Sequence, residues 1–395
     1  MSDLIVRALQ TQEYGHAASL VADVLAGQDQ ARYRKIYARY AQQLPVRPAN
    51  IPPYRAAFKG DQLVALIHIV DYVLRYGRAT LPIVAVGMLC THPDYRHQGY
   101  AGAVVKDTLT FAAEQGAHMV LINSTIDQYF QVFGFSPIWP QYHLQIPVQS
   151  ALQCRQRLRL RVATPDDLEE MALLYDRYWG MRVTVERSPM LWRWRMAHGR
   201  GESLVMVNDA GRIKGYLWHL PDDFSGRNEV VVGTPDAIET ALAYSGRRWQ
   251  SGGHETLCWS VPPDDVIVPY AQQMVPLILS ANYAPSSGWM GRVIDARALL
   301  QALLPEILAQ AHSNNPRITA QSLLLAIVPD GVSLGLRSVP DTRCQLSLRD
   351  FIQVLFGSLS PDSLAVRQPL SDESLRLLHE LFPPRIASLA GWDWL

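Results

Sequence analysis

The residues that most clearly point to chemistry lie in one short segment, Arg96-His97-Gln98-Gly99-Tyr100-Ala101-Gly102. An apolar, β-branched run precedes the segment and a helix-like run follows it, so the pattern predicts a strand, a tight turn and a helix start. A helix N-terminus leaves about four backbone N–H groups unpaired and carries about half a positive charge, which suits a phosphate. Gly99, Ala101 and Gly102 keep bulky side chains away from such a ligand, and Arg96 adds a charge. The alternative is a turn that uses glycine for packing alone.

A second segment, Tyr129-Phe130-Gln131-Val132-Phe133-Gly134-Phe135, follows a predicted strand at Met119–Asn123. Together with the upstream Arg-x-x-Gly-x-Ala pattern, it resembles the GNAT acetyltransferases, in which such a loop grips the diphosphate of acetyl-coenzyme A. The predicted order of elements fits as well: a strand, helices, a three-strand meander, the loop, a helix and a strand. The resemblance implies a mixed α/β (α+β) fold with acetyl-CoA as co-substrate. Apart from this resemblance, the Tyr-Phe-x-x-Phe pattern at helical spacing is explained by side chains that pack in the hydrophobic core.

The same resemblance implies roles for individual residues. Tyr129 is expected to donate a proton to the departing thiolate, unless its ring only packs against the coenzyme. Backbone N–H groups near Leu89 are expected to polarise the thioester carbonyl. Asn123 and Ser124 are expected to bond the pantetheine amides, although both are equally consistent with ordinary strand-end residues. The expected coenzyme-binding residues are Met88, Leu89, Thr91, Arg96, His97, Gln98, Gly99, Tyr100, Ala101, Gly102, Asn123 and Ser124.

From Arg157 onward the sequence pattern starts again. A strand, a helix start at Thr164-Pro165-Asp166-Asp167 and an amphipathic helix echo the beginning of the chain. The counterpart of the phosphate loop falls in residues 230–243, where Pro235 and Asp236 oppose the binding of an anion to the backbone. We therefore predict a second, degenerate GNAT-like domain that binds no coenzyme.

The remaining hundred or so residues read as a helix, a strand pair turning at Pro329-Asp330-Gly331, and further helices, a pattern that resembles a sterol-carrier-protein-like α+β domain. Two GNAT units, the first alone with a cofactor loop, followed by such a domain, is the architecture of the Eis (enhanced intracellular survival) family. The predicted divisions are a catalytic GNAT domain at residues 1–138, a linker or strand at 139–154 that joins the C-terminal domain, a degenerate GNAT-like domain at 155–290, and a sterol-carrier-protein-like domain at 291–395.

The last residues, Gly391-Trp392-Asp393-Trp394-Leu395, are more apolar than a fraying terminus usually is. In the Eis family the terminal carboxylate folds back to the active site, so the resemblance makes the α-carboxylate of Leu395 the general base. A tryptophan-lined pocket would raise the pKa of that group above its usual value of about 3.5. The alternative is a tail anchored for packing alone.

The acceptor is expected to be a primary amine of a cationic small molecule (an aminoglycoside or a polyamine) or of lysine. Aminoglycoside-acetylating members of the family use an acidic, aromatic cavity, so the expected contacts are Asp23, Asp29, Tyr37 and Asp393, although a tyrosine stripe at helical spacing is more often core. A coenzyme- or lipid-binding protein without catalysis is the alternative function. Family members assemble as hexamers, which implies a homo-oligomer here.

The composition argues against several other classes of protein. Lys plus Arg equals Asp plus Glu at 36 each, and no basic run exists, which disfavours a nucleic-acid binder. The longest apolar stretch, residues 63–74, contains His68 and Asp71 and is too short to span a bilayer. The N-terminus lacks the pattern of a signal peptide. The four cysteines are scattered, give no metal-binding spacing, and favour a reduced, cytoplasmic location.

Overall fold

The computed structural model describes residues 4–25, 54–180, 182–198, 201–219, 228–283, 288–329 and 331–389. The strands are β1 Leu4–Ala8, β2 Tyr54–Lys59, β3 Gln62–Tyr76, β4 Ala79–Thr91, β5 Met119–Asn123, β6 Ser136–Trp139, β7 Gln141–Pro147, β8 Arg159–Val162, β9 Thr184–Val185, β10 Glu202–Val207, β11 Ile213–His219, β12 Glu229–Val232, β13 Thr256–Trp259, β14 Ile278–Asn282, β15 Trp289–Val293, β16 Leu323–Val328, β17 Gly331–Leu336 and β18 Val339–Ser347. The helices are α1 Tyr14–Leu25, α2 Tyr100–Glu114, α3 Asp127–Gln131, α4 Val148–Ala151, α5 Leu168–Tyr178, α6 Pro189–His198, α7 Pro235–Ser251, α8 Ile267–Gln272, α9 Ala296–Asn314, α10 Leu348–Leu355, α11 Pro361–Arg367 and α12 Asp372–Leu381.

The first sheet is built around the meander β2–β3–β4. Gly60 and Gly77 make its two tight turns with φ of 58° and 59°, a left-handed conformation that glycine adopts without a steric penalty. The strand order is β1-β2-β3-β4-β5-β15-β6, with β9 pairing β3 outside this path. Strands β4 and β5 are parallel, and α2 is the crossover between them. The predicted meander, loop, helix and strand are all confirmed.

Strands β15 and β7 pair with parts of the chain that the sequence pattern did not identify. Strand β15 inserts between β5 and β6 and is antiparallel to both, although β7 to β14 lie between β6 and β15 in the sequence. Strand β7 pairs with β13 and β14 in a separate three-stranded sheet. Residues 139–154 thus contribute β7 to a sheet separate from β16-β17-β18, and the proposed division at residue 290 falls within β15. Sequence patterning specifies a strand but not its partner.

Strands β7, β8 and β10 to β14, with the helices between them, are called the second unit below. It contains a four-stranded sheet in the order β12-β11-β10-β8 and the sheet β13-β7-β14. Helix α7 packs on one side of this unit with Ile238, Leu242 and Trp249 in its core. Helices α5 and α6 cover the opposite face through Tyr175 and Trp192.

The C-terminal part contains the antiparallel sheet β16-β17-β18 and helices α9 to α12. Helix α10 begins with a side-chain cap, because the Ser347 hydroxyl accepts a hydrogen bond from the Asp350 N–H. Its core is continuous with one face of the first sheet, which contributes Ile83, Ala85 and Trp139.

The first sheet is thus buried on both faces where β4 and β5 run side by side. Val84 and Val86 face the core beneath α2, which contains Val104 and Phe111. The alternate residues of β4 face the C-terminal helices. Burial on both faces explains why this strand reads as a continuous apolar run. In the described ranges, no helix is long and apolar enough to cross a membrane.

Candidate active site

Strands β4 and β5 separate at the edge of the sheet where the phosphate loop begins. Their pairing runs from Ile83 with Met119 to Val86 with Ile122 and goes no further, although β4 continues to Thr91. Just beyond the separation, Met88 adopts φ of 52°, and the register between β3 and β4 shifts at the same place. A bulge of this kind turns backbone groups away from the sheet ladder. The predicted channel residues Met88, Leu89 and Thr91 all lie on this stretch and are all half-buried.

The predicted phosphate loop ends at the N-terminus of α2. Gly99 is the residue before the helix, with φ of 86°, and His97 adopts φ of 62° two residues earlier. Residues 96–99 are exposed, while Tyr100, Ala101 and Gly102 are half-buried in the first turn. Neither a capping side chain nor an acidic residue occupies this helix start. The first-turn N–H groups are therefore presented to a ligand without competition from the chain itself, as an anion site requires.

We expect Gly99→Ala to weaken the binding of coenzyme A by about tenfold. A residue with a Cβ pays about 1–2 kcal/mol in the left-handed region, so the loop would relax away from the conformation that presents the helix start. Gly116→Ala is the matched control, because Gly116 follows the other end of α2 with φ of 70°, and a Cβ at either glycine would meet no atom within 4 Å. Calorimetric titration should show weakened binding for the first variant only; equal affinities would contradict the cradle.

Tyr129, the predicted proton donor, lies against the first turn of α2. A methyl group built on Gly102 would lie 3.5 Å from Phe133 Cζ and 4.0 Å from Tyr129 Oη. The ring packs edge-to-face on Phe130 and beside Phe133, at centroid distances of 5.3 and 5.4 Å. Its hydroxyl is buried and forms no hydrogen bond with any residue that the structure describes. Burial raises the pKa of Tyr129 above its usual value of 10, so the phenol holds its proton at neutral pH.

Asn123 and Ser124 end β5 at the same edge of the sheet. The Ser124 hydroxyl accepts a hydrogen bond from the Ile126 N–H at 3.0 Å, which makes it a turn-forming residue at the entry to α3. The Asn123 amide nitrogen lies 3.5 Å from the side-chain oxygen of Gln141, at the outer limit of a hydrogen bond. Asn123 is half-buried and is level with Trp289 of β15.

Two residues of this region were not identified from the sequence. Gln141, the first residue of β7, lies 3.5 Å from the amide of Asn123 at the end of β5. Arg292 of β15 donates from its guanidinium to the carbonyl oxygen of Phe133 and holds the loop that follows α3. Both contacts join parts of the chain that are far apart in sequence, and no local pattern indicates either.

The predicted acceptor contacts are only partly described. Asp23 lies on the exposed face of α1, whose buried side packs with Cys90 and Met88. Asp29, Tyr37, Asp393 and Leu395 lie outside the described residues.

The corresponding helix start of the second unit has a different arrangement. Helix α7 begins at Pro235, and the Thr234 hydroxyl accepts a hydrogen bond from the Ala237 N–H, so a side chain caps the helix. The Tyr178 hydroxyl lies on Gly233, donating to its carbonyl oxygen at 3.3 Å. A methyl group on Gly233 would lie 1.9 Å from that hydroxyl. The space that a phosphate would need is therefore filled.

Residues 5–138 match the family model described as an acetyltransferase (GNAT) domain. No curated protein matches the sequence. Among solved structures, a conserved protein of unknown function and probable N-acyltransferase from Enterococcus faecalis is 13% identical, with a TM-score of 0.69 over 99% of this chain and 100% of that one. A GCN5-related N-acetyltransferase from Anabaena variabilis is 12% identical, with a TM-score of 0.68 over 98% and 99%. Eis1 from Mycobacterium abscessus is 17% identical, with a TM-score of 0.59 over 98% and 99%.

At these identities the structural likenesses establish the fold of the whole chain, while the family model assigns its N-terminal third. The strand separation, the uncapped helix start and the adjacent tyrosine lie within the matched residues. The N-terminal domain is therefore a GNAT acetyltransferase domain, and the protein is an acyltransferase built on the GNAT fold.

Proposed function

We propose that the protein is an acetyl-CoA-dependent N-acetyltransferase that transfers acetyl directly to a primary amine of a cationic small molecule, of the aminoglycoside or polyamine kind, or of lysine. The observation that carries the proposal is the position of the Tyr129 hydroxyl. It is buried beside the uncapped start of α2, next to the place where β4 leaves β5. An uncapped helix start, a separation between two strands and a buried phenol thus lie at one edge of the sheet, which supports the proposal.

The loop and the separated strands would hold the coenzyme. The pyrophosphate would lie on the backbone of residues 99–102 with Arg96 beside it, and His97 and Gln98 would line the same loop. The pantetheine arm would run along Met88, Leu89 and Thr91 and bond the Asn123 amide. The Ser124 hydroxyl, already used in its turn, would contribute less.

Transfer proceeds by attack of the neutral amine nitrogen on the thioester carbonyl carbon. The negative charge on the carbonyl oxygen is stabilised by backbone N–H groups at the Met88–Leu89 bulge. The C–S bond then breaks, and the coenzyme thiolate takes the phenolic proton of Tyr129. The amine loses its extra proton to a base, and Tyr129 regains its own from water, so charges and protons balance.

Aromatic and acidic groups at the start of β7 support a cationic acceptor. The pKa of Tyr142 is raised to about 12 by burial together with the nearby Tyr283 and Asp264. Tyr142 follows Gln141 on β7, so its side chain lies on the opposite face of that strand from the Gln141 amide that contacts Asn123. Asp264 pairs with Arg182 at 2.8 Å, and Asp265 lies 3.6 Å from the same guanidinium. Asp265 is buried, which raises its pKa to about 6, so the exposed Asp264 is the carboxylate of this group that a cationic acceptor would meet.

The general base is proposed to be the α-carboxylate of Leu395. Ala387 forms a parallel bridge with Val183, next to β9, which is antiparallel to β3. At Ala387 the chain therefore runs antiparallel to β3, in the direction of Leu66, which pairs with Cys90 beside the bulge. Leu395 lies eight positions after Ala387, and an extended chain of that length spans about 27 Å, about half of the 15-residue strand β3.

We expect the addition of Gly-Ser after Leu395 to lower kcat at least tenfold, because it moves the carboxylate away from the amine. The matched control carries the same dipeptide before Met1 and should keep its activity. Rates are measured on otherwise untagged protein at saturating acetyl-CoA. Full activity of the C-terminally extended protein would eliminate Leu395 as the base.

Acceptor identity is tested by following thiol release from acetyl-CoA with a panel of aminoglycosides, polyamines and lysine peptides. We expect release with at least one amine, coupled to formation of its acetyl derivative by mass spectrometry. Coenzyme binding without release for any amine would favour a non-catalytic binding protein. Light scattering measures the oligomeric state, which the family resemblance implies is a homohexamer.

A further inference from the structure

A line of four polar side chains leads from the coenzyme channel into the second unit. The Asn123 amide nitrogen faces the Gln141 side-chain oxygen at 3.5 Å. The Gln141 amide nitrogen lies 2.8 Å from His143 Nε2. His143 Nδ1 lies 3.7 Å from the sulfur of Cys258 on the neighbouring strand β13. Gln141 and His143 are almost fully buried, at 6% and 7% exposure, so these contacts are shielded from water.

The donors along this line all point the same way. An amide nitrogen only donates, so Gln141 donates to Nε2 of His143. The imidazole is then protonated on Nδ1, and that N–H is directed at the sulfur of Cys258. Burial lowers the pKa of His143, which keeps the ring neutral and preserves this tautomer at pH 7. A hydrogen bond donated to sulfur favours the thiolate, which is the reactive form of cysteine.

The other three cysteines lie in environments that suppress reactivity. Burial raises the pKa of Cys90 to about 12 and that of Cys344 to about 11. Burial and the nearby Glu239 raise the pKa of Cys154. Cys258 is half-buried, and it is the described cysteine whose sulfur lies against an imidazole.

We propose that Cys258 is a reactive thiol site whose modification by a low-molecular-weight disulfide weakens coenzyme binding through His143, Gln141 and Asn123. The Cys258 thiolate attacks one sulfur of the disulfide, forms a mixed disulfide and expels the other half as a thiolate. The disulfide is the oxidant, and no other electron acceptor is needed. The added group displaces the imidazole, Gln141 loses its orientation, and the Asn123 amide is no longer held for the pantetheine arm. His143 and Gln141 act here as positioning residues.

The first test is site-specific labelling of the folded, full-length protein with oxidised glutathione, followed by peptide mass spectrometry. We expect Cys258 to react at least tenfold faster than Cys90, Cys154 or Cys344. His143→Leu should slow the labelling of Cys258 to the rate of the other three. Gln141→Met, which leaves the imidazole in place but frees its tautomer, should give an intermediate rate. Labelling of Cys258 no faster than that of the other cysteines would overturn the proposal.

The second test measures coenzyme A affinity by calorimetry before and after glutathione treatment. We expect treated wild-type protein to bind at least fivefold more weakly and to recover with dithiothreitol, whereas treatment should leave the affinity of Cys258→Ser as it was. Unchanged affinity of the modified wild-type protein would disprove the link to Asn123. The effect on coenzyme rests on the proposed function, but the labelling does not. Rapid labelling of a protein that binds no coenzyme would therefore refute the proposed function and leave the thiol site standing.

Discussion

Replacement of Tyr129 by phenylalanine is expected to lower kcat by about 10²–10⁴-fold, the range typical of a lost general acid. The phenylalanine ring keeps the contacts with Phe130 and Phe133, so the aromatic packing beside α2 is preserved. The hydroxyl has no hydrogen-bond partner among the described residues, so its removal leaves no buried group newly unsatisfied. Coenzyme affinity and the free energy of unfolding should therefore stay close to wild-type values.

The matched control is Tyr178→Phe in the second unit. The Tyr178 hydroxyl occupies the corresponding position beside a helix start, on Gly233, but that helix is capped by its own threonine. We expect unchanged kcat for this variant. In the wild-type protein, the raised pKa of Tyr129 also predicts that this group causes no loss of kcat as the pH rises to 9, since the acid stays protonated. Near-normal turnover of Tyr129→Phe would reduce Tyr129 to a packing role.

Replacement of Arg187 by methionine is expected to lower the stability of the second unit by about 3–5 kcal/mol, the cost of breaking a buried ion pair from one side. Arg187 makes two hydrogen bonds to Glu229, at 2.8 and 2.6 Å, and both side chains are fully buried. The guanidinium also lies over the Tyr175 ring, 4.0 Å from its centroid. Methionine fills much of the same volume but leaves the carboxylate without its cation.

Arg212→Met is the matched control for that measurement. Arg212 pairs with Glu170 at 3.3 Å, but its side chain is 72% exposed, and such pairs contribute about 0–1 kcal/mol. The midpoint of urea unfolding, measured by tryptophan fluorescence, should fall strongly for Arg187→Met and barely for Arg212→Met. Adding Glu229→Met to Arg187→Met should recover part of the loss, because it removes the unpaired charge. Similar urea midpoints for Arg187→Met and Arg212→Met would show that the buried Arg187–Glu229 pair contributes little to stability.

The local parts of this structure could be predicted from the sequence because short-range physics decides them. Gly60 and Gly77 mark the turns of the meander, and Ser347 marks the start of α10. The phosphate loop combines an apolar strand, small residues and a helix start within one short segment, so its conformation is also local. The tyrosine motif was placed correctly beside it because a strand–helix–strand crossover brings both to one edge of the sheet.

The long-range parts could not be predicted in this way. Residues 289–293 form β15 of the first sheet, although they follow the second unit in the sequence. Strand β7 pairs with β13 and β14, and this long-range pairing brings Gln141 and His143 close to Cys258. The positive φ of Met88 could not be predicted either, because the residue is not a glycine. The acceptor side of the site depends on such contacts and was correspondingly harder to assign.

The most direct test of the account is a mass balance of acetyl transfer with the full-length, untagged protein. Acetyl-CoA is incubated with and without the best amine of the panel, and free thiol and acetylated amine are both quantified. Direct transfer beside Tyr129 predicts one acetylated amine for each thiol released and negligible release when the amine is omitted. Thiol release that is independent of the amine, or no release with any amine despite bound coenzyme, would contradict it.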